Sequence, residues 1–383
     1  MKFFHLSDLH IGKQLHHYNL REDQAHILGQ VICYAKDIHP DAVVIAGDIY
    51  DKTVPSAEAV TLWDEFLTGL SRIRPRIPVL IISGNHDSAE RLQYAASLLK
   101  DQEIYLAGEA GEDQMQKVTL EDAYGEVDFY LLPFVKPSYV RHLFPEDPPE
   151  NYTEAVEKLI SRESIDFINK RNVLVSHQFY RGSKEPVTCD SEIFSIGGLD
   201  QVDVSAVWGF DYGAFGHLHS AQKAGAEAYR YCGTLLKYSV SEAEQEKALH
   251  LVTLGEKGTS PQVERLKLTP LRDVCRKSGS LSEVLQNPSQ REREAYISIT
   301  LTDEEELYKP KEQLQQVYRR ILEVRIENSR TKRKLDGLEE ELIIQSPQEV
   351  FGDFYREMQG KDLTEEEQKI MDEIFEQAKE EDQ

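Results

Sequence analysis

The sequence has few cysteines and no long hydrophobic run. Its four cysteines are far apart and form no CxxC pair: Cys33, Cys189, Cys232 and Cys275. This spacing indicates neither a zinc ribbon nor a disulfide framework. The apolar start MKFFHL is interrupted by polar residues too early for a signal peptide or a membrane span. We therefore expect a cytoplasmic protein without a membrane partner.

Basic residues are also scarce. Lysine and arginine number 44 against 68 aspartates and glutamates, which gives a formal net charge of -24. Nonspecific binding of nucleic acid requires lysine and arginine to displace counterions, so the chain as a whole is unsuited to it. Any nucleic acid must therefore meet a local basic surface, bound metal ions or a partner.

The first hundred residues alternate between strand-like and helical patterns. Apolar runs at 3–6, 42–46 and 79–82 are separated by amphipathic stretches near 21–36 and 56–73. Buried strands that alternate with helices predict a largely parallel sheet whose two faces are covered. Ligands of such sheets bind beyond the carboxyl ends of the strands.

Later segments predict a second sheet packed on the first, with a helix over about 153–169. Its strand-like runs are 127–132, 173–175, 228–231, 249–253 and 263–268. Past Pro270, strands at 295–301 and 321–326 flank a helix near 310–320, which predicts a separate small domain.

The last 55 residues contain a polar, basic stretch and the patterns of two amphipathic helices. We predict four regions: a catalytic domain at 1–269, a capping domain at 270–328, a linker at 329–346 and C-terminal helices at 347–383. Two apolar stripes mark these helices: Val350, Phe351, Phe354, Tyr355 and Met358, then Ile370, Met371, Ile374 and Phe375. Such stripes either pack within the chain or bind the helices of a partner.

Polar motifs follow the predicted strands. They are Asp8-Leu9-His10, Gly47-Asp48, Gly84-Asn85-His86-Asp87, Val175-Ser176-His177 and Gly216-His217-Leu218-His219. Carboxylate, imidazole and amide groups together suit Mn²⁺ or Fe²⁺, permit Zn²⁺ and fit Mg²⁺ or Ca²⁺ less well. Each motif alone is a weak signal, because Asp48 could simply cap a helix and His177 could be a structural histidine. Their joint occurrence at strand ends favours a metal site.

This ordered set resembles the calcineurin-like metallophosphoesterase superfamily. Three further strings, residues 8–12, 47–51 and 233–239, resemble a branch of DNA nucleases within it. The resemblance implies an α/β fold with two packed mixed sheets flanked by helices in four layers. It also implies a small α/β capping domain and C-terminal helices that bind a partner.

The same resemblance implies two divalent metal ions, with Mn²⁺ favoured, and hydrolysis of phosphodiesters by a metal-bound hydroxide. The first metal would be held by Asp8, His10, Asp48 and His219, and the second by Asp48, Asn85, His177 and His217. His86 would protonate the leaving oxygen or steady the phosphate, and Asp87 would orient its imidazole. Asp51 departs from relatives that carry a histidine there, which leaves the handling of duplex ends open.

The implied substrates are double-strand ends, hairpins and single strands of DNA, cut by exonuclease and endonuclease activity. The implied partner is an ATPase with long coiled coils, bound by the C-terminal helices. A homodimer within a heterotetramer and association with the nucleoid follow by the same resemblance.

Two other functions remain open from the residues alone. The metal core would also serve a phosphatase or phosphodiesterase for proteins or small molecules, or a binding module on an inactive scaffold. Seven basic residues are a candidate stripe for phosphate contact or simply a solvated face: Arg319, Arg320, Arg325, Arg330, Lys332, Arg333 and Lys334.

Overall fold

The computed structural model describes residues 1–183, 185–192, 200–305 and 307–329, together with 355–356, 363–364, 368–369 and 371. These residues form two compact units. The first comprises Met1–Lys277, Leu285–Ile299 and Lys311–Val324, and the second comprises Ser278–Val284, Thr300–Pro310 and Arg325–Gln383.

The first large sheet has six strands in the order β16-β15-β1-β4-β5-β6. Their bounds are β1 Lys2–Leu6, β4 Ala42–Ala46, β5 Val79–Ile82, β6 Ile104–Ala107, β15 Ala248–Thr253 and β16 Gln262–Lys267. Strands β1, β4, β5 and β6 run parallel, whereas β15 and β16 extend the sheet antiparallel at the β1 edge. Strands β1, β4 and β5 with the helices between them are the predicted βαβαβ unit, and β6 adds a fourth parallel strand that was not predicted.

The second large sheet also has six strands, in the order β13-β14-β12-β9-β8-β7. Their bounds are β7 Gln116–Asp122, β8 Gly125–Leu132, β9 Arg171–His177, β12 Tyr212–Gly216, β13 Gln222–Lys223 and β14 Tyr229–Tyr231. The centre, β8-β9-β12-β14, is parallel, and both edges are antiparallel.

Nine described α-helices accompany the sheets. They are α1 Arg21–Ile38, α2 Ala57–Ser71, α3 Ala89–Leu92, α4 Ala96–Lys100, α5 Pro137–Val140, α6 Tyr152–Ser161, α7 Leu281–Leu285, α8 Gln290–Glu294 and α9 Pro310–Gln315. Helix α2 begins where the Ser56 side chain accepts a hydrogen bond from the amide of Ala59. No helix in the described part of the chain is long and apolar enough to cross a membrane.

Successive side chains along each strand point to opposite faces of the sheet, so each sheet packs against helices on one face and against the other sheet on the other. In β4, Val43 and Ile45 pack in the cluster that contains α1 and α2, while Val44 on the opposite face packs between the sheets. There Phe3 of the first sheet meets Phe129 of the second, with ring centroids 5.4 Å apart. Helix α6 packs against the outer face of the second sheet. The predicted four-layer arrangement is therefore confirmed.

Two local predictions are wrong. The segments 249–253 and 263–268, expected in the second sheet, belong to the first. Strand β15 pairs with β1 and β16 pairs with β15, both antiparallel, and an antiparallel edge strand needs no crossover helix. The helix expected over 153–169 ends at Ser161. Beyond it, the Asp166 side chain accepts the amide hydrogens of Ile168 and Asn169 and so stabilises a turn instead.

Smaller elements complete the fold. Strands β2 Gln14–Leu15 and β3 Tyr18–Asn19 pair antiparallel, and β10 Phe179–Arg181 pairs with β11 Gln201–Asp203 in parallel. A three-stranded sheet has the order β17-β18-β19, with bounds β17 Val274–Gly279, β18 Tyr296–Leu301 and β19 Arg320–Ile326. Val274, Tyr296 and Leu322 pack in the cluster that also contains α1, so both compact units draw on the region predicted as a capping domain. The predicted domain boundaries remain predictions.

Candidate metal centre

The structure brings the predicted site residues together at the carboxyl ends of five parallel strands. Asp8 and His10 follow β1, Asp48 follows β4, and Asn85, His86 and Asp87 follow β5. His177 ends β9, and His217 and His219 follow β12. Because the two sheets pack face to face, these five strand ends open into one crevice.

Four of these residues have positive φ angles, which residues other than glycine rarely adopt. Asp8, His10, Asp48 and His217 have φ angles of 52°, 43°, 51° and 110°. Backbone hydrogen bonds hold two of them, from Asp8 to the Gly47 carbonyl and from His10 to the Asp48 carbonyl, each 3.0 Å long. Such strain persists where the surrounding structure over-determines it, which is common at functional sites.

Glycines let the strand ends approach each other closely. A Cβ on Gly84 would lie 2.1 Å from Asp48 Oδ1, and one on Gly216 would lie 2.0 Å from the Ala46 carbonyl oxygen. A Cβ on Gly47 would lie 2.3 Å from His177 Nδ1. The absence of side chains here is therefore a requirement of the site.

The first group of candidate ligands is Asp8, His10 and His219. The Nε2 atoms of His10 and His219 are 3.1 Å apart, and both rings are buried. Both Asp8 carboxylate oxygens accept the amide hydrogen of His217 at 3.1 Å. One ligand atom from each of Asp8, His10 and His219 lies within 4.8 Å of the others.

The second group is Asn85, His177 and His217. Asn85 Oδ1 lies 3.1 Å from His177 Nε2 and 3.0 Å from His217 Nδ1. Asp48 lies between the two groups, with its Oδ2 atom 3.6 Å from His10 Nε2 and 3.5 Å from His177 Nε2. Its carboxylate therefore faces both.

The orientation of His177 fits a bound cation. Its Nδ1 atom lies 2.7 Å from the Ala46 carbonyl oxygen, which only accepts, so Nδ1 is the donor. In the neutral ring, Nε2 then directs a lone pair at oxygen atoms of Asn85 and Asp48, and a cation or a proton between them satisfies all three. Two ligands at a right angle, each about 2.1 Å from one ion, are about 3.0 Å apart, which matches these spacings. The arrangement is consistent with a dimetal site.

Burial and mutual charge set the protonation of this cluster. Burial raises the pKa of Asp8 to about 7, and Asp48 adds to the rise while His177 opposes it. Burial also disfavours the charge on Asp48, but His177, His10 and His86 outweigh it and hold the pKa of Asp48 well below its usual range. Without a metal ion, a proton on His177 therefore compensates the Asp48 carboxylate, since burial lowers the pKa of His177 but Asp48 and Asp8 raise it to about 9.

Burial holds the imidazoles of His10, His217 and His219 in the neutral form. Burial lowers the pKa of His10 and of His219 well below the usual range. Burial, together with the charge on His177, lowers the pKa of His217 to about 3. A neutral imidazole has a free lone pair on one nitrogen, and this neutral form is the one that binds metal ions.

His86 and Asp87 do not interact as expected. The Nδ1 atom of His86 donates to the Asp51 carbonyl oxygen at 3.0 Å, which leaves Nε2 facing the site, 4.0 Å from Asp48 Oδ2. The Asp87 carboxylate accepts the amide hydrogens of Ile49, Tyr50 and Gly84 at 2.9–3.0 Å. The prediction that Asp87 orients the imidazole is therefore wrong, because Asp87 instead joins the loop after β4 to the loop after β5.

A layer of polar residues behind His219 was not predicted from the sequence. Ser191 Oγ lies 2.7 Å from His219 Nδ1 and 2.8 Å from Glu242 Oε1, and the buried Glu242 pairs with Lys247 at 2.7 Å. Glu192 accepts the amide hydrogen of His219 at 2.5 Å. The motif 233–239 could have pointed to this layer. The side chains of Thr234 and Ser239 and the amide of Tyr238 donate hydrogen bonds to Glu242.

Two comparisons with known proteins decide the family. Residues 1–221 match the Calcineurin-like phosphoesterase family, and residues 268–359 match the Type 5 capsule protein repressor C-terminal domain. The chain is 31% identical over 368 residues to the SbcD component of the SbcCD nuclease from Staphylococcus epidermidis, and the alignment covers 95% of each chain. The chain belongs to the SbcD family of calcineurin-like phosphoesterases.

Solved structures similar to this SbcD family member are more distant. A dimetal phosphatase from Danio rerio is 14% identical, with a TM-score of 0.37, 69% of this chain covered and 98% of the other. The phosphopantetheinyl hydrolase of Mycobacterium tuberculosis is 16% identical, with a TM-score of 0.33 and coverage of 60% and 87%.

The candidate interaction surfaces of this SbcD family member are described only in part. Arg319 and Arg320 both pair with Glu294, at 3.0 and 3.5 Å. Residues 330–334 of the basic stripe lie outside the described residues. So do the two C-terminal stripes, apart from Tyr355 and the buried Met371. Phosphate contact and partner binding by these segments therefore remain predictions.

Proposed function

We propose that this chain is a two-metal DNA nuclease. The observation that carries the proposal is the position of Asp48, whose Oδ2 atom faces His10 Nε2 at 3.6 Å and His177 Nε2 at 3.5 Å. A carboxylate between two groups of imidazole and oxygen donors suits one bridging ligand shared by two divalent ions. Asp8, His10, Asp48 and His219 would hold one ion, and Asp48, Asn85, His177 and His217 the other.

The donor set favours Mn²⁺ as the metal. Five of the seven candidate ligands are not carboxylates, and four of these are imidazoles, which fit Mg²⁺ and Ca²⁺ less well. When bound, two such ions activate water and stabilise both the attacking and the leaving oxygen of an in-line displacement. The neutral state of His10, His217 and His219 prepares the chain to receive them.

His86 supplies the proton transfer in this proposal. Its Nδ1–H is committed to the Asp51 carbonyl, so Nε2 is the atom that can carry a proton to the leaving oxygen. Nε2 lies 4.0 Å from Asp48 Oδ2, and His86 contributes to the wall of a cavity that opens beside the metal ligands. An imidazole suits this role because its usual pKa is close to neutral pH. Asp87 contributes by holding the two loops that carry Asp48 and His86.

The relative from Staphylococcus epidermidis supports DNA as substrate, since it is named as a nuclease component of SbcCD. By that likeness the partner is an SbcC-type coiled-coil ATPase, bound by residues 347–383. The substrates would be double-strand ends, hairpins and single strands, cut by a homodimer within a heterotetramer at the cytoplasmic nucleoid. Likeness over 95% of both chains favours this function over a phosphatase or phosphodiesterase for protein or small-molecule esters.

The test is cleavage of labelled single-stranded DNA by the full chain with Mn²⁺. We expect His86→Ala to slow cleavage by roughly 10²- to 10⁴-fold, the usual contribution of a general acid, and to leave the bound metal unchanged. His142→Ala, which removes an exposed histidine outside the site, should cleave normally. Hydrolysis of a small phosphodiester without cleavage of DNA would favour the phosphatase alternative. No activity on either substrate would indicate an inactive scaffold.

A further inference from the structure

A cavity of about 600 Å³ opens beside the candidate metal ligands, on the side of Asn85, His86 and His217. Its volume is in the range of roughly 300–1,000 Å³ that small-molecule sites occupy. Four aromatic residues and two lysines contribute to its wall: Phe134, Tyr139, Tyr152, Phe179, Lys52 and Lys136. We call this space the aromatic cavity.

Two of its rings are fixed against candidate metal ligands. The centroid of the Phe134 ring lies 6.4 Å from that of His177, and the Phe179 centroid lies 5.7 Å from that of His217. Tyr139, by contrast, is 57% exposed, and Lys136 Nζ lies 5.6 Å from its ring centroid. A planar group bound here would therefore meet an accessible aromatic ring and a cation in the same cavity that His86 and His217 line.

A second cavity near the candidate metal centre is lined by basic rather than aromatic side chains. This cavity of about 600 Å³ has Lys13, His16, Arg21 and Lys52 in its wall, and the described residues of that wall include no phenylalanine, tyrosine or tryptophan. Lys52 belongs to both cavities. Lys13 is paired with Asp51 of the same wall at 2.7 Å. In a chain with a net charge of -24, Arg21 and Lys52 supply local positive charge that suits a phosphate backbone.

We propose that the aromatic cavity binds the unpaired base of a nucleotide next to the scissile phosphate, while Lys52 and Lys136 contact the strand's phosphates. The inference rests on the proposed nuclease function and deepens it by naming the substrate feature that the centre selects. Stacking on aromatic rings is tolerant of sequence, because every base has a π face. A base in a duplex must leave its stack before it can enter, and this unstacking costs free energy. Single strands and unpaired ends are therefore the preferred substrates.

The test compares two single strands of equal length, one normal and one built of abasic nucleotides, with the full chain and Mn²⁺. For the wild type we expect kcat/KM on the normal strand to exceed that on the abasic strand by roughly 5- to 150-fold, as base stacking gives. Tyr139→Ala should bring this ratio close to 1. Tyr139→Phe, which retains the ring, should keep the ratio. Tyr124→Ala, which removes an equally exposed tyrosine from the turn between β7 and β8, should also keep it.

The outcomes separate this inference from the function on which it rests. A wild-type ratio near 1, or a ratio that Tyr139→Ala leaves unchanged, overturns the aromatic cavity as a base site while leaving the nuclease in place. If the wild type cleaves neither strand but hydrolyses a small phosphodiester, the proposed nuclease function is wrong, and the base site with it.

Discussion

Ser191 connects a candidate metal ligand to a buried ion pair. Its hydroxyl lies 2.7 Å from His219 Nδ1 and 2.8 Å from Glu242 Oε1. A group that holds the far nitrogen of a ligating imidazole fixes the orientation of the ring, and its removal usually costs 10- to 100-fold in metal affinity. We predict that Ser191→Ala weakens Mn²⁺ binding by about 10-fold, measured by titration calorimetry.

A second serine serves as the control for Ser191. Ser161→Ala removes a hydroxyl that donates only to the Lys158 carbonyl at the end of α6, so it should bind Mn²⁺ like the wild type. Equal affinities for Ser191→Ala and Ser161→Ala would show that Ser191 does not position His219.

Asp122 illustrates a structural charge whose effect depends on pH. Its carboxylate accepts two hydrogen bonds from Arg171, at 2.5 and 3.1 Å, and also pairs with the amino terminus. The Arg171 guanidinium holds the pKa of Asp122 well below its usual range, with the amino terminus contributing. Because Arg171 is 2% exposed, Asp122→Asn leaves a buried charge without its ionic partner, at a cost of about 3 kcal/mol of unfolding free energy at pH 7.

The sign of the pH dependence follows from that lowered pKa. Stability from a carboxylate whose pKa is depressed by folding is complete above its unfolded pKa of about 3.9, and it is lost as pH falls below that value. Urea titrations should therefore show a gap between wild type and Asp122→Asn that is constant from pH 7 to 5 and narrows below about pH 4. Asp113→Asn, a change at an exposed acid before β7, should show no gap at any pH. A gap that widens on acidification would contradict this account.

The members of the candidate site were predictable from the sequence where they form a short local motif. They were less predictable where interacting residues are far apart in the sequence. Asp8 and His10, or His217 and His219, are two residues apart, and a strand end brings each pair into the crevice. Ser191 and Glu242 lie 51 residues apart and meet only in the folded chain. The partner of His86 is a backbone carbonyl, which any residue at position 51 would offer, so side-chain chemistry could not indicate it.

At the scale of elements, the turn after β5 depends on a missing side chain. A Cβ on Gly84 would lie 2.1 Å from Asp48 Oδ1 and 2.4 Å from the Asp48 amide nitrogen, and Oδ1 already accepts the amide hydrogen of His86. We predict that Gly84→Ala displaces Asp48 and lowers Mn²⁺ affinity at least about 10-fold, with a loss of roughly 1–3 kcal/mol in unfolding free energy. Calorimetry and urea unfolding measure the two effects.

A glycine in an open position provides the matched control for Gly84. Gly29 lies within α1, and a Cβ there would have nothing within 4 Å. Gly29→Ala should therefore leave Mn²⁺ binding unchanged and stabilise the chain by up to about 1 kcal/mol, because alanine is the better helix former. If both alanine variants bind Mn²⁺ normally, the close approach of Gly84 to Asp48 is not a requirement of the site.

Strands were predictable where their residues form one clear hydrophobic pattern. Strands β4 and β5 have the predicted bounds, since both are continuous apolar runs ending at a polar motif. Strand β7, Gln116–Asp122, has three exposed residues and one buried one, a pattern too weak to distinguish it from a loop. The sheet that β15 and β16 join depends on pairing with a strand more than 200 residues away, which local periodicity does not encode.

At the scale of the whole molecule, the nuclease centre and the predicted partner-binding helices belong to different parts of the chain. Every predicted site residue lies between Asp8 and His219, within Met1–Lys277 of the first compact unit. The apolar stripes at 350–358 and 370–375 follow the polar stretch 329–346. Chemistry and assembly should therefore be separable by truncation.

We predict that a chain ending at Ser329 retains Mn²⁺-dependent cleavage of single strands within a few-fold of the wild type but does not co-purify with the SbcC-type ATPase. The physical reason is that an amphipathic helix binds through its apolar face, which the truncation removes while the metal ligands stay in place. Phe354→Asp in the full chain tests the same face with one substitution and should also abolish co-purification. His86→Ala is the reciprocal control, since it should lose cleavage and keep the partner. Retention of the ATPase by the truncated chain would place the interface in the catalytic region instead.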